Sequence, residues 1–218
     1  MALHFPRIGA KSSLRAVKAS AWHASVLAIL CALFVRPTVI GADVGPYHPG
    51  ELLVATDEMK DPRFVESVIY LVKHDADGAL GLVINRPLAQ GPIDDLLKGM
   101  GAGAKGSKLA ITLHYGGPVS SRQVFLLHSD EVTLDNSVRV SGGIAMTADI
   151  RMIEAIAEGK GPRQFLLTLG YTGWAPGQLE MELQAKSWFT VAADKALIFS
   201  TDADKKWRQA SDKRQIPL

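Results

Sequence analysis

Residues 50–87 read GELLVATDEMKDPRFVESVIYLVKHDADGALGLVINRP. Three β-rich segments stand in this stretch: Leu52–Ala55, Ser67–Val72 and Ala79–Ile84, the last a nearly continuous apolar run of strand length. Between the last two lies HDADG, in which Asp and Gly adopt the backbone angles that a tight hairpin demands. The segments should therefore pair antiparallel. Asp75 and Asp77 also resemble the opening of a calcium loop, but the twelfth position from Asp75 is Arg86 rather than a glutamate, so a turn is the better reading.

Working outward, strand-like and helix-like segments alternate without an internal repeat. Ile93–Leu97 begins a short helix after Pro92, and GMGAGAKGS, residues 99–107, follows as a flexible glycine-rich loop with little apolar content to pack. Leu109–Tyr115 and Gln123–His128 are expected to form a second hairpin around GGPVSS. Gly142–Met146 leads into TADIRMIEAIAEGKG, a helix that Thr147 can cap, with Met146, Ile150, Ile153 and Ala157 on one face and Gly159 or Gly161 ending it. Arg163–Leu169 reads as a buried strand, Trp188–Ala192 as the last strand and Asp202–Lys213 as the last helix. Hairpins mixed with helices indicate an α+β fold rather than a doubly wound parallel sheet.

Between these lies LGYTGWAPGQLEMEL, residues 169–183, with three glycines, two large aromatics and a proline in one short turn. Pro176 sits where a first helical turn tolerates it, and Gln178–Lys186 are good helix formers with Leu179 and Leu183 four apart. Leu179, Met181 and Leu183 also alternate with Glu180 and Glu182, which suits a strand. The helix is the preferred reading.

Residues 1–49 carry a different signal. Arg7, Lys11, Arg15 and Lys18 precede an apolar run, Ala24–Val35, and Ile40-Gly41-Ala42 offers a small residue before a cut. This is the pattern of a secretory signal peptide, with a run shorter than the roughly 20 residues of a spanning helix. The expected organisation is a leader over residues 1–42, a linker over 43–49 and one domain over 50–218. Cleavage implies a periplasmic or extracellular protein. An uncleaved anchor would attach the chain to a membrane by this segment alone, and a start codon assigned too far upstream would leave a cytoplasmic protein.

The chain has 24 Lys and Arg against 22 Asp and Glu, but residues 1–42 hold five of the basic residues and none of the acidic, so the remainder carries 19 − 22, or −3. A mildly acidic domain is poorly suited to phosphate backbones, which demand concentrated positive charge. Direct nucleic-acid binding is not expected. The densest basic cluster, Lys205-Lys206-Trp207-Arg208, is interrupted by Asp202, Asp204 and Asp212 and reads as a solvated helix face. The single cysteine, Cys31, lies in the leader, so the domain has no disulfide, thiol nucleophile or cysteine metal site.

Six blocks in order, MKDPRF, GALGLVINRP, YGGPV at Tyr115–Val119, FLLH at Phe125–His128, GKGP at Gly159–Pro162 and LGYTGW, resemble the AlgH/YqgE family. The likeness runs from about Pro49 to about Ala210, with departures at Asp57, Lys73, Thr172 and near Ser187. Members are often described as transcriptional regulators without an agreed molecular activity. The resemblance implies a compact α+β fold, its mixed and largely antiparallel sheet curled into a partial barrel with flanking helices.

Specific catalytic signatures are missing: there is no GxSxG, HExxH, Walker loop or dinucleotide fingerprint. No cofactor or metal is expected. If the GGPVSS hairpin closes near Val119, His114 and His128 fall at opposite ends of its ladder, too far apart to share an ion. The strongest candidates for a ligand or partner cleft are Tyr171, Trp174 and Gln178, where glycines allow close approach and two amphipathic rings stand beside an amide. Thr56, Met59, Asp61, Pro62 and Phe64 can form the opposite wall. Arg86 either pairs with a carboxylate such as Asp61 or meets a ligand, and Gly116 and Gly117 of GGPVSS either make a tight turn or offer amides to an anion. The expected function is a non-enzymatic regulatory module that recognises a small ligand or a protein partner. The alternative is a hydrolase or transferase that uses Asp61, His74 or His128 with Ser120 or Ser121, and a further one, should the start codon be assigned too far upstream, is a transcriptional regulator.

Overall fold

The apolar runs of residues 50–87 are buried on both faces, which is why they lack the alternation of a half-exposed strand. A computed structural model describes residues 47–214; the leader and its cut, expected within residues 1–42, lie outside these. In chain order the elements are β1 (Glu51–Ala55), β2 (Val68–Asp75), β3 (Gly78–Val83), β4 (Pro87–Pro92), α1 (Ile93–Gly99), β5 (Ala110–Tyr115), β6 (Val119–Ser129), β7 (Val138–Arg139), β8 (Ile144–Thr147), α2 (Ile150–Ala157), β9 (Phe165–Trp174), α3 (Gln178–Gln184), β10 (Trp188–Ala192), α4 (Lys195–Ile198) and α5 (Ala203–Lys213). The sheet runs β10-β1-β2-β3-β9-β6-β8-β7, with β4 and β5 attached beside β9. It is a curled, largely antiparallel half-barrel with a few helices, an α+β fold as the sequence implied.

Parity sorts the strands between cores. Leu52, Val54, Val68 and Tyr70 meet Phe125, Leu127, Leu197, Ile198 and Ala210 on one face. Leu53, Ala55, Ile69 and Leu71 meet Trp174, Leu179 and Trp188 on the other. A third cluster joins Ile93 and Leu97 of α1 and Met152, Ile153 and Ile156 of α2 to Val124, Leu126 and Leu167. The β2–β3 hairpin closes at Asp75 opposite Gly78, as the HDADG turn predicted, and Asp75 accepts the amide of Asp77 at 2.9 Å.

The second expected hairpin does not form. β5 pairs antiparallel with β4 and parallel with β9, β6 pairs with β8 and the other edge of β9, and β9 therefore lies between β5 and β6. GGPVSS is a crossover. Glycine and proline serve a hairpin turn and a strand crossing equally well, so local chemistry does not separate the two. β4, with two prolines and a glycine, carries no strand pattern of its own and forms because β5 offers it an edge.

β9 holds the sheet together by changing partners. Along one edge Leu167–Leu169 pair with β5, and then Thr172–Trp174 pair with β3. Gly170, at φ +74, sits at the exchange. A Cβ on Gly116 would run into the carbonyl of Gly170, and one on Gly117 into the backbone of Tyr171. The two chain segments thus cross backbone to backbone, and the anion reading of Gly116 and Gly117 gives way to this close approach.

Other local expectations are refined by satisfied polar groups. The α2 N-cap is Asp149, whose carboxylate accepts the Arg151 amide, while Thr147 belongs to β8 and its hydroxyl accepts the Asp149 amide. The glycine-rich loop after α1 is tied down, because Asp94 accepts the amides of Lys105, Gly106 and Ser107. In the stretch expected to be a linker, the amide of His48 donates to His74 Nδ1 at 3.0 Å. The basic cluster of α5 is not wholly solvated: Lys206 is fully buried, its ammonium donating to the carbonyls of Ile84 at 2.9 Å and Ile198 at 2.7 Å.

Gly170→Ala must hold a positive φ while its methyl meets the carbonyls of Gly117 and Val119, so denaturant unfolding should show a loss of about 2–4 kcal/mol; a loss under about 1 kcal/mol would mean the crossing relaxes freely. Burial pushes Lys206 from 10.5 down to about 8. Below pH 8 the ammonium is charged in both states and its burial costs stability. Between about pH 8 and 10.5 the folded state loses its proton first, relieving on the order of 3 kcal/mol. The stability of the wild type relative to Lys206→Met should rise through that window, and a flat difference from pH 7 to 10.5 would refute the burial penalty.

Candidate functional site

Gln178 and Glu182 lie one helical turn apart on α3 and so share a face. Ala175-Pro176-Gly177 forms the turn that starts this helix, with Gly177 at φ +75 as its N-cap. The Ala175 amide donates to Gln178 Oε1 at 3.1 Å. From there Gln178 Nε2 donates to Glu182 Oε1 at 2.9 Å. Glu182 Oε2 accepts the indole N–H of Trp174 at 2.9 Å and that of Trp188 at 2.8 Å. One carboxylate thereby fixes the end of β9, the start of β10 and the outer face of α3. The two indoles stand 6.3 Å apart at 81°, and the ring of Phe64 meets Trp188 at 5.7 Å and 63°.

The loop from Thr56 to Ser67 forms the facing wall. Backbone bonds from Met59 to Thr56, from Phe64 to Asp61 and from Ser67 to Phe64 fold it into successive turns. Asn85 clasps its far end, accepting the Val68 amide and donating to the Glu66 carbonyl. The Arg86 guanidinium donates to the Val65 carbonyl and approaches the Ser67 hydroxyl at 3.5 Å. Asn85-Arg86 is thus the clip that shapes this wall. The expected Arg86–Asp61 pair does not form, because Arg63, two residues away, takes Asp61 at 2.6 Å. That guanidinium holds the Asp61 carboxyl below its ordinary value, mainly through the side-chain hydrogen bond.

Between the walls lies a cleft of about 340 Å³, lined by Asp61, Phe64, Trp174, Gln178, Glu182 and Trp188 among others. Trp174, Gln178, Asp61, Met59 and Phe64 come together as the sequence suggested. Tyr171 does not join them: the residues facing the cleft at the end of β9 are Thr172 and Trp174, and Tyr171 packs edge-on against Phe125 at 5.6 Å on the opposite face. The aromatic segment taken for a turn is strand through Trp174, and strand parity separates its two rings. Gly116, Gly117 and Arg86 act behind the lining, and Pro118 is the part of GGPVSS that reaches it. Glu182 and Trp188 were missed by sequence reasoning. Glu182 stands four residues after Gln178, which is a usable signal once the helix is accepted; Trp188 has none beyond being a tryptophan at a strand start.

The groups of the hydrolase alternative are dispersed. Ser120 and Ser121 line a broad, open groove of about 660 Å³ with Met100, Arg122, Gln123 and Val124, and no histidine or carboxylate lines it. That groove is larger than the cleft but shallow, and its side-chain chemistry is limited to two hydroxyls, one amide and one guanidinium. His74 is 3% exposed and has both ring nitrogens engaged, Nδ1 by the His48 amide and Nε2 by Glu180 at 3.2 Å. His128 bonds the Ser129 carbonyl through Nδ1, and burial pushes it below its ordinary value. His114 is likewise lowered, first by burial and then by the charge of Lys206. No three His, Cys, Asp or Glu side chains gather as a metal site among the described residues.

Residues 52–218 match the profile of the AlgH-like family. A UPF0301 protein of Methylococcus capsulatus is 41% identical over 169 residues, covering 78% of this chain and 92% of its own. Another, of Bradyrhizobium diazoefficiens, is 40% identical over 172 residues, covering 75% and 80%. Among solved structures, the solution structure of the AlgH protein from Pseudomonas aeruginosa matches with a TM-score of 0.67 at 34% identity, over 78% of this chain and 89% of that one. The crystal structure of a Corynebacterium diphtheriae protein, with a TM-score of 0.60 at 22% identity over 78% and 87%, shares the fold. The six sequence blocks, the curled sheet and these relatives agree, and the chain belongs to the AlgH-like family.

Proposed function

We propose that this protein is a non-enzymatic binding module that takes a small chemical group, free or carried by a protein partner, into the cleft between β9, α3 and the Thr56–Ser67 loop. The observation that carries the reading is Glu182, which accepts three hydrogen bonds from Trp174, Trp188 and Gln178 and so holds an aromatic wall in place before any ligand arrives. A pre-formed concave site lined by rings with a few fixed polar groups is the usual form of a small-ligand pocket. Regulation, in this reading, runs through occupancy of the cleft rather than contact with DNA. The basic cluster of α5 supports that choice, since Lys206 is buried, Lys205 pairs with Asp202 at 2.6 Å and Lys213 pairs with Asp194 at 3.1 Å. The basic, apolar and small-residue order of residues 1–42 supports export, which would set the ligand among envelope molecules.

Fragments bound by the protein should shift the indole N–H resonances of Trp174 and Trp188 and spare that of Trp207, which donates to the Ala55 carbonyl at 2.8 Å. Trp174→Ala should weaken such binding at least about tenfold while circular dichroism stays unchanged. Fragments that gather instead on the Ser120–Val124 groove would defeat the proposal. For export, intact mass and fractionation of the protein made from its own start should give a species beginning at or near Asp43 outside the cytoplasm. A cytoplasmic product of full length would exclude it.

A further inference from the structure

Residues 47–50 lead into β1, and one side chain holds them there. The His48 amide donates to His74 Nδ1 at 3.0 Å, and His74 Nε2 lies 3.2 Å from Glu180 Oε1 on α3. An amide N–H can only donate, so Nδ1 must present a lone pair. In the neutral ring the proton is then on Nε2, where it is given to the Glu180 carboxylate. His74 is 3% exposed, and the ring of Tyr47 stands edge-on against it at 5.2 Å. The two nitrogens of one buried histidine are thus committed to different parts of the chain, the segment that enters the fold and the helix of the cleft wall. Little else holds that segment. Among the described residues, the backbone of residues 47–49 makes one further hydrogen bond, from the Glu51 amide to the His48 carbonyl at 3.2 Å. The sheet takes over at Gly50, whose amide donates to the Leu71 carbonyl at 2.7 Å.

We infer that His74 is a proton-operated clasp for the start of the folded domain. With a lone pair on Nδ1 the clasp is closed. A proton taken from solvent onto Nδ1 turns the acceptor into a donor, sets N–H against N–H and releases the His48 amide. The imidazolium keeps Glu180, now as an ion pair, so α3 stays in place while the chain ahead of Gly50 comes away. The release is one-sided because only one of the two bonds depends on the lone pair. The other charged and titratable groups around the ring are Tyr47, the His48 ring, which meets Glu51 at 3.0 Å, and Lys73 and Asp75 of its own strand, which pair with each other at 3.1 Å. Its partner on β3 is Ala79, which adds no charge.

The test is NMR of the ¹⁵N-labelled full chain between about pH 8 and about pH 5, the range in which histidine titrates. At the upper end the His74 ring should carry its proton on Nε2. As the pH falls toward the measured His74 midpoint, protection of the His48 amide from hydrogen exchange should drop about tenfold per pH unit and vanish below that midpoint. The Trp174 and Trp188 indole resonances should stay in place throughout. His48→Gln, which removes the neighbouring ring, should leave this coupling unchanged. His74→Asn offers an oxygen that accepts the His48 amide and does not titrate, so protection should stay within about twofold across the range. A proton on Nδ1 at the upper end, protection that survives protonation of His74, or the same loss in His74→Asn overturns the inference. So does movement of both indoles at the His74 midpoint, which would make the change a loss of α3 rather than a release of the segment. If His74→Asn does not fold, judged by the Trp207 resonance, the agreement of the His74 and His48-amide midpoints in the His48→Gln chain decides, and a mismatch overturns it.

Discussion

β9 accepts three strands along two edges, and it does so because Gly170 lets its backbone turn aside between them. β5 occupies the first half of one edge and β3 the second, so the β1–β3 strands and the β4–β8 strands are joined into one sheet where β9 passes from one to the other. The Gly116–Gly117 segment crosses at that point, with the Gly116 amide donating to the Leu169 carbonyl and its carbonyl accepting from Val83. Side chains at the crossing would push the two halves apart. Trp174, four residues beyond Gly170, and Pro118, next to Gly117, reach the cleft from this crossing.

The cleft shows how a short element can organise a site. α3 has seven residues, too few to be stable alone, and it is held by Leu179 and Leu183 in the second core and by three bonds to Glu182. The same contacts that stabilise the helix align the indoles. A wall fixed in this way loses little further freedom on binding, which leaves more of the contact energy available as affinity. The facing loop is held differently, by Asn85 and Arg86 reaching out from the end of β3.

The sequence announced the parts that depend on local pattern and on burial. Unbroken apolar runs at Leu52–Ala55 and Ala79–Ile84 correspond to strands covered on both faces, and HDADG to the hairpin between β2 and β3. Trp174 and Gln178 were legible as cleft-lining residues because an aromatic and an amide beside glycines are unusual on a bland surface, and Asp61 lines the same cleft. What escaped depended on pairing across long separations. The insertion of β9 between β5 and β6 leaves no local trace, so GGPVSS passed for a hairpin. Tyr171 was misplaced for a related reason: a strand read as a turn loses the parity that sends rings three residues apart to opposite faces. Lys206 looked solvated because a helix face with three neighbouring charges is usually outside, and only the Ile84 and Ile198 carbonyls, distant in sequence or in another helix, make its burial tolerable.

The order in which the chain is made gives the position of β9 a further meaning. The strand that joins the two halves begins at Phe165, and the edge partner of β1 arrives later still, at Trp188. A ribosome that has delivered the first 160 or so residues has supplied hairpins and helices but not the closure that makes them one structure. Until then the apolar strands have no complete partner set. Closure of the sheet therefore waits until β9 and then β10 have been made, whatever has formed before them.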